Sequence, residues 1–164
     1  MSHPVFKISR QFKAPRELVW RAWTVPALFG QWFGPAGFTS EVKTHELRVG
    51  GVLHTCIKSA EGHEMWGKFV YREVEPPSRL VWEHSFSDSE GNLTRHPMSA
   101  AWPLKLLTTV ELNEIDGGTE LILTWTPLDA NEAECTIFGE SMASMEQGWG
   151  GTFGQLTQFL AQEQ

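Results

Sequence analysis

The apolar period along this chain is two through most of residues 41–126 and becomes three-to-four from about residue 131. A period of two is a strand with one buried face, whereas steps of three and four make one stripe of a helix. Neither the sheet face nor the helix stripe is stable in water, so each has to cover the other. Ahead of the sheet, Val5 to Phe12 sets Phe6, Ile8 and Phe12 against Lys7, Ser9 and Gln11, which predicts a first strand. Ala14-Pro15-Arg16-Glu17 then opens a helix. Proline at the first helical position loses no needed hydrogen bond, and Glu17 suits the positive end of the helix dipole. Val19, Ala22 and Trp23 form its buried stripe, Thr24-Val25-Pro26 breaks it, and a second short helix carries Leu28 and Phe29 through Trp32 to Phe33.

The strands follow. Glu41 to Arg48 ends at the turn signal Gly50-Gly51. Val52 to Lys58 alternates Leu53, Thr55 and Ile57 against His54, Cys56 and Lys58, and Ser59 to His63 is a hairpin turn. Glu64 to Val74 places Met65, Gly67, Phe69 and Tyr71 on one side, until Pro76-Pro77 stops the ladder. Leu80, Trp82, His84 and Phe86 alternate next, and Ser87 to Pro103 reads as a long polar loop. Lys105 to Asn113 and Thr119 to Thr126 make a last hairpin around Asp116-Gly117-Gly118. Asp129-x-x-Glu132 and Asn131-x-x-Glu134 are capping-box spacings ahead of Met142, Met145, Trp149, Phe153, Leu156 and Leu160. A helix over 131–161 would be ~46 Å long. Its glycines at 148, 150, 151 and 154 predict a bend or break there, since each costs roughly 1 kcal/mol against Ala. The expected fold class is α+β. One domain over residues 1–164 holds an antiparallel sheet of about seven strands in the order β-α-α-β6-α, with its helices on one side and the long C-terminal helix covering its apolar face. A strongly twisted sheet cannot lie flat on a straight helix, and the gap is the natural place for an apolar cavity.

Composition narrows the function classes. With 41% hydrophobic residues the chain is too apolar for disorder. No apolar run approaches the ~18 residues of a membrane helix, and the N-terminus has no signal-peptide stretch, so no membrane insertion is expected. A net charge of −7 argues against nucleic acid as the main partner. Residues 1–82 hold 11 Lys/Arg against 7 Asp/Glu, and residues 83–164 hold 2 against 13. The acidic C-terminal half, with Glu132, Glu134 and Glu140, is either a solvated face or a surface for a protein partner. Cys56 and Cys135 form no disulfide framework and suit a reducing, cytoplasmic setting.

Phe12 to Trp20 followed by Ala22-Trp23-Thr24 is similar to the opening of the START-like (SRPBCC) superfamily with its Bet v-like helix-grip fold, in the branch of activator-of-heat-shock-ATPase homologues (AHSA-type). Trp32-Phe33-Gly34-Pro35, Leu47 to Gly51, Gly67-Lys68-Phe69, Glu73 to Val81, Gly118 to Leu121 and Gly148-Trp149 continue the resemblance in order over residues 5–160. The resemblance implies a sheet wrapped around a long helix with an internal cavity, lined here by Leu53, Ile57, Met65, Phe69, Trp82, Trp125, Met142, Met145 and Trp149. Related families hold lipids, sterols or other apolar molecules there, and some act as cyclases or hydrolases. The branch is named for a co-chaperone.

Chemistry-bearing motifs are sparse. The histidines at 3, 45, 54, 63, 84 and 96 form no metal-ligand spacing; His54 and Cys56 share a strand face without a third ligand. Gly139-Glu140-Ser141-Met142-Ala143 ends in Ala and sits inside a predicted helix, so Ser141 is no elbow nucleophile. His84 shares the inward phase of Leu80, Trp82 and Phe86, where it is either a core histidine, a polar ligand contact or a general base. Glu64 and Glu83 would be its carboxylate partners in an enzyme, and Arg95-His96-Pro97-Met98 lies in a loop that could cover the pocket. No catalytic constellation, metal or cofactor is expected. The leading expectation is a soluble binding protein for an apolar or amphipathic small molecule, lipid-like or aromatic. The alternatives are a cyclase or hydrolase on the same cavity and a co-chaperone-like interaction module.

Overall fold

A computed structural model of the protein describes residues 4–34, 37–96 and 99–163. His3, Pro35, Pro97 and Met98, which entered the sequence reading, lie outside the described residues. The elements run β1 (Phe6–Phe12), α1 (Arg16–Thr24), α2 (Pro26–Phe29), β2 (Thr39–His45), β3 (Val52–Lys58), β4 (Glu64–Glu75), β5 (Arg79–Ser87), β6 (Leu93–Thr94), β7 (Lys105–Ile115), β8 (Gly118–Leu128), α3 (Glu132–Glu140) and α4 (Met142–Gln162). The expected α+β order is present. The eighth strand is the two-residue β6, which pairs with the end of β5 inside the segment read as loop. The polar composition of 87–103 hid it.

Neighbouring strands are antiparallel in the order β1-β8-β7-β5-β4-β3-β2. The register aligns the period-two residues across the sheet. Leu53 stands opposite Phe69, Phe69 opposite His84, and His84 opposite Leu106. Thr55, Gly67 and Phe86 form the next row, while Thr108, Trp125 and Phe6 form another. That face is mainly apolar, and α1, α2 and α4 cover it. At the β2–β3 connection, Gly50 has φ +84°, and a Cβ on Gly51 would collide with the Glu46 carbonyl. Those two glycines let the chain reverse within hydrogen-bond reach of Tyr71, whose carbonyl accepts from Gly50 N (2.8 Å).

Trp23 occupies the middle of the core. Its ring meets those of Trp32 (4.8 Å between centroids), Trp82 (5.6 Å), Phe29 (6.4 Å) and Trp149 (6.5 Å). The second short helix ends at Phe29, earlier than the sequence suggested, and Trp32 and Phe33 follow in a turn. They are buried nevertheless, because Trp32 Nε1 donates to the Ala22 carbonyl (3.0 Å). That carbonyl would ordinarily accept from the amide four residues on, but residue 26 is proline and has none.

The C-terminal helix does break, but not at its glycines. The break falls at Ser141, between α3 and α4. There the Ser141 hydroxyl donates back to the Ile137 carbonyl (2.8 Å) and its amide to the Phe138 carbonyl (3.1 Å), closing α3. The helix α4 runs through all four glycines. Gly148, Gly151 and Gly154 face open space, so close packing on the sheet does not explain them. The joint variant Gly151→Ala with Gly154→Ala should therefore be stabilised, by about 1 kcal/mol at each site. Thermal unfolding should show a rise of roughly 4–8 °C. A lowered melting temperature would contradict open helical geometry at these positions.

On the opposite sheet face a small polar cluster closes the β3–β5 edge. His54 Nε2 donates to the Asp88 carbonyl (3.0 Å) and lies 3.1 Å from Ser87 Oγ, and its ring lies against Trp66. Among the described residues no three His, Cys, Asp or Glu side chains gather as a metal group. No helix among the described residues is long and apolar enough to cross a membrane.

Candidate functional site

Between the sheet and α4 lies a cavity of about 270 Å³. Of the residues named from sequence, Ile57, Met65, Phe69, His84, Trp125, Met145 and Trp149 line it. Leu53, Trp82 and Met142 do not. Trp82 is screened by its stack on Phe69 (5.5 Å, 17° between planes) and by Trp23. Leu53 is buried in the core beyond Phe69. Met142, in the first turn of α4, packs on the core edge. The resemblance implies all three as lining, and phase sets Leu53 and Trp82 on the inner face, but depth along the element decides which residues reach empty space. Phe33, Gly34, Thr55, Gly67, Phe86, Gly148 and Thr152 also line the cavity. Thr55, Gly67 and Phe86 share the strand phases already read, and Gly148 follows Met145 by three, so the same periodicity could have found them. Exposed Met65 and Gly148 mark the open side.

A second cavity, of about 200 Å³, meets the first at His84, Phe86 and Trp125. It is closed by Ser85, His96, Trp102, Pro103 and Leu106. His96, Trp102 and Pro103, from the connection between β5 and β7, thus cover it, and among the described residues an ion pair fastens this cover. The Arg95 guanidinium bonds the Glu134 carboxylate, which also accepts from Asn131 N (2.9 Å) in the capping box of α3. Burial would raise the Glu134 pKa, but the Asn131 and Leu104 amides and the Arg95 charge outweigh it and hold the carboxyl below its ordinary range. Glu134, expected on an acidic interaction face, is thus buried in the cover's anchor, while Glu132 and Glu140 remain exposed. A depressed carboxylate stabilises the fold at pH values above its unfolded pKa and loses that contribution as pH falls through the folded value. In Arg95→Ala the Glu134 carboxyl resonance should titrate at higher pH than in the wild type, with a stability loss within about 1 kcal/mol for so exposed an arginine. An unmoved titration would show that Arg95 does not hold the cover.

The chemistry of the cavity is sparse and specific. Among the described residues lining either cavity, none is Lys, Arg, Asp or Glu. Most of the polar lining is satisfied within the protein. Trp125 Nε1 donates to Thr108 Oγ1 (2.7 Å), Thr55 Oγ1 to the Glu41 carbonyl (3.0 Å) and Thr152 Oγ1 to the Gly148 carbonyl (3.2 Å). His84 differs. Among the described residues no hydrogen bond or ion pair reaches its ring, which stands edge-on to Phe69 (4.4 Å between centroids) and beside Trp125 (5.7 Å). Burial among these rings lowers its pKa to about 3, so the imidazole is neutral near pH 7. The carboxylates that an acid–base enzyme would place beside it are elsewhere. Glu83 is on the other sheet face, paired with Arg72 (2.9 Å) and Lys105 (3.8 Å), and Glu64 pairs with Lys58 (3.4 Å). Ser141 caps a helix. A third cleft, of about 500 Å³ at the β1–α1 and β7–β8 turns, is lined by Lys13, Arg16, Glu114 and Asp116 and is remote in character from the apolar site.

Solved structures share this architecture. A protein from Arthrobacter aurescens is 23% identical with a TM-score of 0.79, covering 96% of this chain and 86% of that one. A protein from Mycobacterium smegmatis is 20% identical with a TM-score of 0.77, over 97% and 94% of the two chains. The AHSA1 protein of Silicibacter pomeroyi is 19% identical with a TM-score of 0.74, over 98% and 100%. At these identities the likeness speaks for the fold alone. No curated protein matches the sequence. Residues 13–161 match the family described as Activator of Hsp90 ATPase homolog 1-like protein. That match spans most of the chain, and the helix-grip layers agree with it: the protein belongs to the Activator of Hsp90 ATPase homolog 1-like family.

Proposed function

We propose that the protein binds an apolar or amphipathic small molecule, lipid-like or aromatic, in the cavity between sheet and α4, without covalent chemistry. The observation that carries this is the lining: aromatic, methionine and isoleucine side chains, with the His84 imidazole among them and an exposed rim. An apolar cavity of ~150 Å³ is enough for benzene. The space here suits a molecule of two fused rings or an acyl segment. The driving force is burial of apolar area, worth ~25 cal/mol per Å². Methionines at 65 and 145 adapt to irregular shapes, as a binding wall requires.

Titration with N-phenyl-1-naphthylamine, an uncharged probe that brightens in apolar surroundings, tests the reading. Saturable one-to-one enhancement, reversed by naphthalene, is the expected result. Native mass spectrometry of the freshly purified protein should show adducts that organic extraction removes. Absence of saturable binding by the probe together with absence of any adduct would overturn the reading.

A further inference from the structure

We propose that His84 is the specificity-determining residue of this cavity, accepting an uncharged ligand whose single hydrogen-bonding group, a hydroxyl or carbonyl, lies where the two cavities meet, and that molecules with an anionic headgroup are excluded. This rests on the binding reading above and adds the charge class of the ligand and the residue that reads it.

Three observations carry it. His84 lines both cavities, so a group bonded to its ring has apolar space on either side. Its Nε2 sits over Gly67, 3.7 Å from where a Cβ would stand, so the backbone leaves the ring open on that side. The other polar groups whose bonds are seen around the larger cavity, at Trp125, Thr55 and Thr152, are already engaged. His84 is half-buried and its ring opens onto the cavity space, so a ligand group there can take up hydrogen-bonding capacity that no protein group uses among the described residues. A neutral imidazole carries both a donor and an acceptor, so it can meet a hydroxyl or a carbonyl. An anion finds no such welcome. Neither cavity is lined by Lys or Arg among the described residues, and burial keeps His84 itself uncharged. A carboxylate drawn into this space would lose its water and gain no counter-charge.

Three matched probes at pH 7.5 test it: naphthalene, 2-naphthol and 2-naphthoate, each measured by displacement of N-phenyl-1-naphthylamine. The wild type should prefer 2-naphthol to naphthalene by about three- to tenfold more than the His84→Phe variant does. His84→Gln, which keeps a neutral donor and acceptor, should retain part of that preference. 2-Naphthoate should bind at least about a hundredfold more weakly than 2-naphthol. In the wild type, imidazole nitrogen resonances of His84 should show the shift of a new hydrogen bond with 2-naphthol and not with naphthalene, a readout that needs no variant. Equal preference in wild type and His84→Phe, an unmoved His84 nitrogen with 2-naphthol bound, or 2-naphthoate binding as well as 2-naphthol would each overturn the inference while leaving the cavity reading intact. Failure of naphthalene and 2-naphthol alike would overturn both.

Discussion

Gly67→Ile is expected to weaken binding of N-phenyl-1-naphthylamine at least about thirtyfold, counting ~0.8 kcal/mol for each buried methylene of ligand displaced. The melting temperature should stay level or rise. Gly67 stands in β4 between Thr55 and Phe86, on the floor of the cavity. A Cβ there meets only ordinary contacts, at 3.7 Å from His84 Nε2 and 3.8 Å from Phe69 Cε1 and the Ser85 carbonyl. The rest of an isoleucine side chain extends into empty space rather than into packed atoms. Strands favour β-branched residues over glycine by up to ~1 kcal/mol, so filling the site should not harm the fold. Loss of binding with stability kept separates occupation of the cavity from damage to the protein. Unchanged affinity measured by probe titration would place the binding site elsewhere.

The second large effect concerns the tryptophan core. Trp23→Ala should cost about 3–5 kcal/mol, a large part of the ~5–15 kcal/mol that holds a domain folded. The informative comparison is between two milder changes. Trp23 Nε1 is buried without a hydrogen-bond partner. Trp23→Phe removes that unpaired donor, and the relief of about 1–3 kcal/mol offsets part of the lost packing. Trp32→Phe does the reverse, because it removes the donor that serves the Ala22 carbonyl above Pro26. Although Trp23 touches more rings, Trp32→Phe should be the more destabilising of the two. Urea denaturation of both variants checks the order, and the opposite order would contradict the assignment of the two indole N–H groups.

The strands were readable because one face of the sheet carries most of the large apolar side chains, so alternation in Leu53-Thr55-Ile57 or Leu80-Trp82-His84-Phe86 points to that face. The family resemblance added the wrapping of the sheet around the long helix and the lining residues. Three things escaped the residues alone. The two-residue β6 has no alternation to read. The glycine spacing points to a break where chain stiffness is lowest, yet the helix breaks at Ser141, where a side chain offers the backbone an alternative hydrogen bond. Cavity lining depends on depth, which strand phase does not encode. Trp82 and Ile57 have the same inward phase, but one is capped by Trp23 and Phe69 while the other borders empty space. His84 was seen to face inward, but that its ring would be left unpaired followed only from where Glu83 and Glu64 point.

Methyl NMR of the protein titrated with naphthalene bears on the binding cavity without any substitution. The methyl signals of Ile57, Met65 and Met145, all on the cavity wall, should move together and saturate at one equivalent. Those of Met142, three residues from Met145 but outside the lining, and of Leu112 in the core should move far less. Absence of any saturable shift, or shifts centred on Met142 and Leu112 instead, would contradict a ligand cavity between the sheet and α4.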